Sequence, residues 1–319
     1  MDEIFNLKID CNYLIRWITI IWLLVKYNRI DSEGSKAMLK LGMHVDNWRH
    51  FDVSYEVPCQ LAKDHGIEFV EFGTIDGDYF VQALGYNPHI PLHSDPLKLK
   101  SYLDTLGLKV SELDAAYPMS CPEGQYRGIG YTIRTIQFAK AIGCPCVDTT
   151  DGGRKPEGYT DEEVMALMKQ YYRVVLDWAQ RYDIIINVEP HGPYTTDPDT
   201  MEQILSFYDS PYLRMNFDTG NTFIAGQDPV KFLKRFRDKV SHCHIKDVSE
   251  ELAEAVRGGL TGIASSVVGI GEGVNAENIA GCIELLKEID FDGVLSIESE
   301  AAPGKIEQSI EWLRKEIAR

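Results

Sequence analysis

From residue 40 onward, short apolar runs alternate with stretches whose apolar residues recur at helical spacing. The short runs predict strands at Leu41–Asp46, Glu68–Phe72, Lys109–Leu113, Pro145–Asp148, Ile184–Val188, Tyr212–Phe217, Val240–Ile245 and Gly293–Ile297. Between and after them the spacing predicts helices over Tyr55–His65, Pro96–Leu106, Thr132–Ile142, Asp161–Tyr182, Asp199–Tyr208, Pro229–Phe236, Ala276–Ile289 and Lys305–Ile317. The long helix from Asp161 carries Val164, Leu167, Met168, Tyr171 and Leu176 at roughly helical spacing. Thr160 ahead of Asp161, Glu162 and Glu163 supplies its capping-box start.

Regular β-then-α alternation argues for a parallel sheet, and eight such units over about 280 residues argue for closure into an α/β fold, the (β/α)8 TIM barrel. A doubly wound open sheet is the alternative, but no G-x-G-x-x-G follows any strand. Gly269, Gly271 and Gly273 come close in spacing yet lie far from a strand end, as turn glycines. The chain therefore divides into residues 1–37, an extension unlike the rest, and 38–319, one barrel domain. In the extension, Trp17–Val25 (WITIIWLLV) is far shorter than the roughly 20 residues that span a bilayer. It has no basic n-region, since Asp2 and Glu3 precede it, and no A-x-A site follows. An upstream start codon accounts for it best, with Met38 or Met43 as the natural start; a packing extension and peripheral membrane attachment come next.

Charge and cysteines narrow the function. Asp plus Glu total 49 against 32 Lys plus Arg, a net −17, which argues against nucleic acid or an anionic membrane as partner. A neutral sugar or a metal-bound substrate is compatible with it. The seven cysteines form no CxxC pair and no framework, the pattern of reduced thiols in a cytoplasmic protein.

Barrel enzymes place their active sites at the C-terminal strand ends. The fifth strand runs into Glu189 (IIINVEPHG), the sixth into Asp218 (NFDTGN), the seventh into His244 (SHCHIKD) and the eighth into Glu298 (LSIESE). Three carboxylates converging without a cation repel strongly, and a divalent metal resolves this. An O3N set without thiolate suits Mn2+ or Mg2+, with Co2+ or Zn2+ also compatible. Glu300 is the alternative to Glu298. His191, two residues past Glu189, shares its face on a strand, so the two side chains should point the same way. Lys246 either binds a substrate oxygen or pairs with Asp247. His44, Glu71, Asp114 and Asp148 lie near the ends of strands one to four, where substrate contact and capping are equally reasonable. His242 sits one layer deeper than His244. Trp48, in a loop after strand one, is the aromatic best placed as a sugar platform. The loop from Asp247 to Gly273, with Arg257, is positioned to lid the site.

The blocks VEPHG, FDTGN, HIKD and SIESE resemble the metal-binding blocks of xylose isomerase-like barrels, the sugar phosphate isomerase/epimerase superfamily, over roughly residues 40–319. The resemblance implies that Glu189, Asp218, His244 and Glu298 bind the metal and that the substrate is a carbon acid. Asn221 departs from the keto-sugar 3-epimerases, whose corresponding block ends in a substrate-binding His. The chain is more similar to the larger (α) subunits of bacterial C-glycoside deglycosidases. That likeness implies β-elimination from a 3-oxo-glucoside, with loss of the C2 proton and cleavage of the bond from C1 to the aglycone, and a small β subunit completing a hetero-oligomer. His191 is then the expected base, since a neutral imidazole suits the transfer. Asn221 and Arg257 join His44, Trp48 and Glu71 as expected substrate contacts. A sugar isomerase or epimerase is the main alternative; an abasic-site endonuclease is disfavoured by the charge, and a non-catalytic sugar-binding protein by the base beside the metal set.

Overall fold

The structure, a computed structural model, describes residues 39–77, 88–299 and 304–319. The 1–37 extension, Met38 and Glu300 lie outside the described residues. Eight strands form the barrel: β1 (Lys40–His44), β2 (Phe69–Ile75), β3 (Lys109–Pro118), β4 (Cys146–Thr150), β5 (Ile185–Val188), β6 (Leu213–Asp218), β7 (Val240–Ile245) and β8 (Val294–Ile297). Each pairs in parallel with the next, and β1 pairs with both β2 and β8, which closes the sheet. A two-residue strand, Ile90–Pro91, pairs with the end of β2. Around the barrel run α1 (Glu56–Asp64), α2 (Pro96–Leu106), α3 (Arg127–Ile142), α4 (Asp161–Tyr182), α5 (Pro198–Leu205), α6 (Thr219–Ile224), α7 (Pro229–Phe236), α8 (Glu250–Val256), α9 (Ala276–Glu288) and α10 (Lys305–Ala318).

Local chemistry sets many of these boundaries. Thr160 and Glu163 form the reciprocal capping box that starts α4. Asp95 and Asp228 cap α2 and α7, each followed by a proline in the first turn, where a missing N–H costs nothing. Gly107 and Gly143 end α2 and α3 in the left-handed conformation.

The strands alternate in an unusual sense. Met43, Val70, Leu113, Val147, Ile186, Met215 and Leu295 are wholly buried and belong to the main hydrophobic core. Alternating with them are His44, Glu71, Glu112, Asp148, Asn187, Asn216, Asp218, His242, His244 and Ser296, also buried, and the half-buried Asp114. Cross-barrel bonds tie the polar set together: His44 to Asp114, Glu71 to His244, Asn187 to Glu112, and Asn216 to His242. The apolar residues therefore face the helices, and the middle of the barrel is a hydrogen-bonded polar column.

Four sequence expectations change. The first strand stops at His44, because Val45–Trp48 turns into a 3-10 helix. The third strand continues five residues beyond Leu113. DTGN does not simply leave a strand: Asp218 caps α6 directly. The loop after β7 contains α8, whose N-cap is Ser249.

Candidate metal centre

Each ligand candidate arrives by a different local device. The Glu189 backbone N–H bonds Thr149 O at 3.0 Å, which holds the carboxylate at the barrel mouth just past β5. Asp218 uses Oδ1 to cap α6, accepting from Gly220 N at 2.6 Å and Asn221 N at 2.7 Å; Oδ2 is left facing inward. His244 and Glu298 occupy the end of β7 and the position after β8.

The structure brings these four together: one ligand atom from each lies within 4.8 Å of all the others. His244 Nδ1 is 2.9 Å from Glu189 Oε1, 3.4 Å from Glu298 Oε2 and 3.9 Å from Asp218 Oδ2. Its other nitrogen, Nε2, is 2.8 Å from Glu71 Oε1. Glu71 as acceptor there puts the proton on Nε2 and turns the Nδ1 lone pair toward three carboxylates. That arrangement is repulsive unless a cation sits among them, and a carboxylate–histidine pair behind a metal ligand is the usual way to orient one. Burial opposes charge on His244, but Glu71 and Glu298, with hydrogen bonds to Glu189 and Glu71, raise its pKa well above the ordinary value. A proton on Nδ1 and a divalent ion thus satisfy the same need. Asp218 Oδ2 is buried without a hydrogen bond. Burial pushes this carboxyl up to about 8 against the pull of Lys246, with Glu298 and Glu189 adding to the rise. An orphaned buried oxygen, a hard O3N donor set and no thiolate fit a divalent metal.

Lys246 belongs to this cluster and not to Asp247. Its Nζ lies 2.9 Å from Glu298 Oε2 and 3.5 Å from Asp218 Oδ2, and donates to Asn221 Oδ1 at 3.1 Å. Asp247 instead accepts backbone N–H groups from Val248, Gly271, Gly273 and Asn275, which explains the glycine-rich turn. Asn221 bridges the site, its Nδ2 donating to Glu189 Oε1 at 3.3 Å.

His191 stands on different ground from the sequence argument. β5 ends at Val188, so strand alternation does not carry Glu189 and His191 onto one face. The histidine is held by its backbone: its N–H donates to Thr195 Oγ1 at 2.8 Å, and its carbonyl accepts from Gly262 N at 3.0 Å. Thr195 Oγ1 donates to Asp151 Oδ1 at 2.7 Å, and Asp151 also accepts from Gly192 N and Tyr194 N. The ring is half-buried, with Nδ1 inaccessible and without a hydrogen-bond partner.

The other expected substrate contacts are engaged within the protein. Glu71 is wholly buried and orients His244 from below. His44 is also buried; its Nε2 lies 2.6 Å from Asp114 Oδ2, and its Nδ1 accepts the Asp46 N–H at 2.8 Å, so both ring nitrogens are occupied within the protein. Trp48 packs into the main core and offers no platform. Arg257 lies with its guanidinium 3.7 Å from the Phe223 ring centroid and donates to Phe223 O at 2.7 Å, apart from the four ligands. Asp148 is buried; burial, Glu112 and Glu189 raise its carboxyl well above the usual range. Glu112, Asn187 and Asn216 were not singled out from the sequence. Their signal was a polar residue at an alternate position inside an apolar run.

The rim loop contributes by close approach. A Cβ on Gly262 would lie 2.5 Å from Asn221 O, so only glycine brings the loop this near the site. Among the described residues no helix is long and apolar enough to cross a membrane.

Comparison with known proteins supplies the rest. The family model described as Xylose isomerase-like TIM barrel matches residues 59–316. An inosose dehydratase of Lacticaseibacillus casei is 24% identical over 231 residues, covering 66% of this chain and 76% of that protein. Among solved structures, the probable 3-DHS dehydratase AsbF of Bacillus anthracis aligns with a TM-score of 0.67 at 18% identity, covering 86% of this chain and 99% of that one. The IOLI protein with a bound zinc atom aligns at 0.68 and 18% identity, covering 87% and 96%. At these identities the structural likenesses show the fold.

Proposed function

The chain belongs to the xylose isomerase-like TIM barrel family, and from that premise we propose that it is a divalent-metal-dependent lyase acting on an oxidised sugar or cyclitol. Glu189, Asp218, His244 and Glu298 hold the ion. A divalent ion bound there supplies Lewis-acid polarisation of the substrate carbonyl, which acidifies the neighbouring C–H. His191 accepts that proton, and the electron pair of the broken C–H bond forms a double bond to the next carbon as its substituent departs. Lys246, with Asn221 accepting from its ammonium, orients a substrate oxygen beside the carboxylates. The seat of Lys246 against Glu298 and Asn221 supports this reading, because it fixes a donor beside two of the ligand carboxylates.

Two observations favour elimination over epimerisation. Asn221 stands where the resemblance to keto-sugar 3-epimerases implies a substrate-binding His, and the curated relative above is named a dehydratase. In the finer reading the substrate is a 3-oxo-glucoside: the C2 proton passes to His191, a C1–C2 double bond forms, and the C1–aglycone bond breaks, with the aglycone taking up a proton. A small second subunit is expected to complete that enzyme. With water as the leaving group, the same chemistry makes a keto-cyclitol dehydratase.

The test is a Mn2+-supplemented assay on a 3-oxo C-glucoside and on a keto-inositol, with and without a co-encoded small protein. Released aglycone supports the C-glycoside reading, and water loss from the cyclitol supports the dehydratase. Epimerised but intact substrate overturns elimination. His191→Ala is expected to lower turnover by at least roughly 100-fold while bound metal stays near one equivalent; loss of metal along with activity removes His191 from the role of base.

A further inference from the structure

Among the described residues Lys246 is the one ammonium inside the ligand cluster, and it is held in place. The side chain is 7% exposed. Its backbone is stitched to the start of α6, since Lys246 N donates to Thr219 Oγ1 at 2.9 Å and Thr219 Oγ1 donates to Lys246 O at 3.1 Å. Its stem lies over Gly220, where a Cβ would come within 2.5 Å of Lys246 Cγ. The ammonium ends 2.9 Å from Glu298 Oε2 and 3.5 Å from Asp218 Oδ2. Those are the two oxygens that also turn toward His244 Nδ1.

Charge at this place has two opposite effects. Without a bound ion, three buried carboxylates repel one another, and a fixed ammonium relieves them. When an ion binds, the same ammonium opposes it. The three ligand carboxylates and the ammonium together carry minus two, which a divalent ion offsets and a trivalent ion exceeds, with Glu71 lying one step out behind His244.

We propose that Lys246 is a tethered counter-ion of the metal centre, which stabilises the metal-free protein, weakens cation binding, and matches the site to a divalent charge. The inference rests on the assignment of Glu189, Asp218, His244 and Glu298 as metal ligands. It concerns binding and stability, and is independent of which substrate is turned over.

The experiment compares the full-length wild type with Lys246→Met and Lys246→Arg. Mn2+ and La3+ binding are measured by titration calorimetry at one pH and ionic strength, and thermal unfolding is measured in chelator. Lys246→Met is expected to bind Mn2+ at least about tenfold more tightly. Its gain in log affinity for La3+ should be roughly 1.5 times that for Mn2+, because the removed repulsion scales with ion charge. Its melting temperature in chelator should fall, while Lys246→Arg stays near wild type in both measurements. General damage would instead lower stability and affinity together. Unchanged or weaker Mn2+ binding by Lys246→Met overturns the proposal. Should that variant not fold, Lys246→Gln carries the same comparison, and unchanged or weaker binding there is equally decisive. A wild-type protein that binds no Mn2+ defeats the metal assignment itself, an outcome distinct from failure of the counter-ion role.

Discussion

The hold of Glu71 on His244 can be tested through metal affinity alone. Glu71 Oε1 lies 2.8 Å from His244 Nε2, both groups being buried and separated by 173 residues in the chain. Glu71→Gln keeps an acceptor oxygen at nearly the same place and removes its charge. A hydrogen bond to a charged group contributes about 1.5–3 kcal/mol and a neutral one about 0.5–1.5 kcal/mol, so the loss is about 1–1.5 kcal/mol. If His244 must present Nδ1 as a lone pair, that loss appears as roughly tenfold weaker Mn2+ binding. Glu71→Ala removes the acceptor altogether and should approach 100-fold, the upper end of what partners behind metal ligands contribute. Asn216 presents its Nδ2 donor 3.1 Å from the same nitrogen and keeps its Oδ1 at His242 Nδ1, 3.2 Å away, so it does not replace the lost acceptor. Titration calorimetry at fixed pH reads the affinities, and circular dichroism checks that both variants remain folded. Unchanged Mn2+ affinity in Glu71→Gln together with less than threefold loss in Glu71→Ala would refute the orientation argument.

Two further perturbations address other parts of the fold. Burial raises the pKa of Asp46, but His89, Arg49 and His44 together bring it down from 3.8 to about 2. A depressed carboxylate stabilises the fold above its unfolded value and loses that contribution as pH falls through the folded one. Asp46→Asn should therefore cost about 2 kcal/mol at neutral pH and flatten the acid limb of the stability curve between about pH 4 and 2, as urea titrations across that window will read. Gly262→Ala forces a methyl group against Asn221 and should break the bond to the His191 carbonyl. We expect a higher KM and faster proteolysis within 247–273, with Mn2+ affinity unchanged; a loss of metal instead would place the loop in the ligand shell.

Elements whose limits depend on neighbouring residues were legible. Asp161–Tyr182, Pro96–Leu106 and Pro229–Phe236 fall where capping residues and prolines put them. Strand ends were less so, because pairing partners decide them: β3 continues to Pro118, where it meets Thr150 of β4 across an irregular register. The four ligand candidates could be read because each polar residue directly follows an apolar run. The roles of His44 and Glu71 could not, because proximity to a strand end does not reveal the direction in which a side chain is already engaged. Glu71 lies across the barrel from His244, and only closure of the sheet brings them together. Glu112, Asn187 and Asn216 escaped for a related reason: each looked like an isolated polar interruption until the closed barrel supplied its partner.

Closure also determines what a partial chain can do. All four ligand candidates lie between residues 189 and 298, so a fragment beginning at β3 would contain every one of them. It would lack β1, which joins β2 to β8, and β2, which carries Glu71. High-affinity metal uptake should therefore emerge late during folding, when the two ends of the barrel meet, and the bound ion would act as a seam marker for the completed ring.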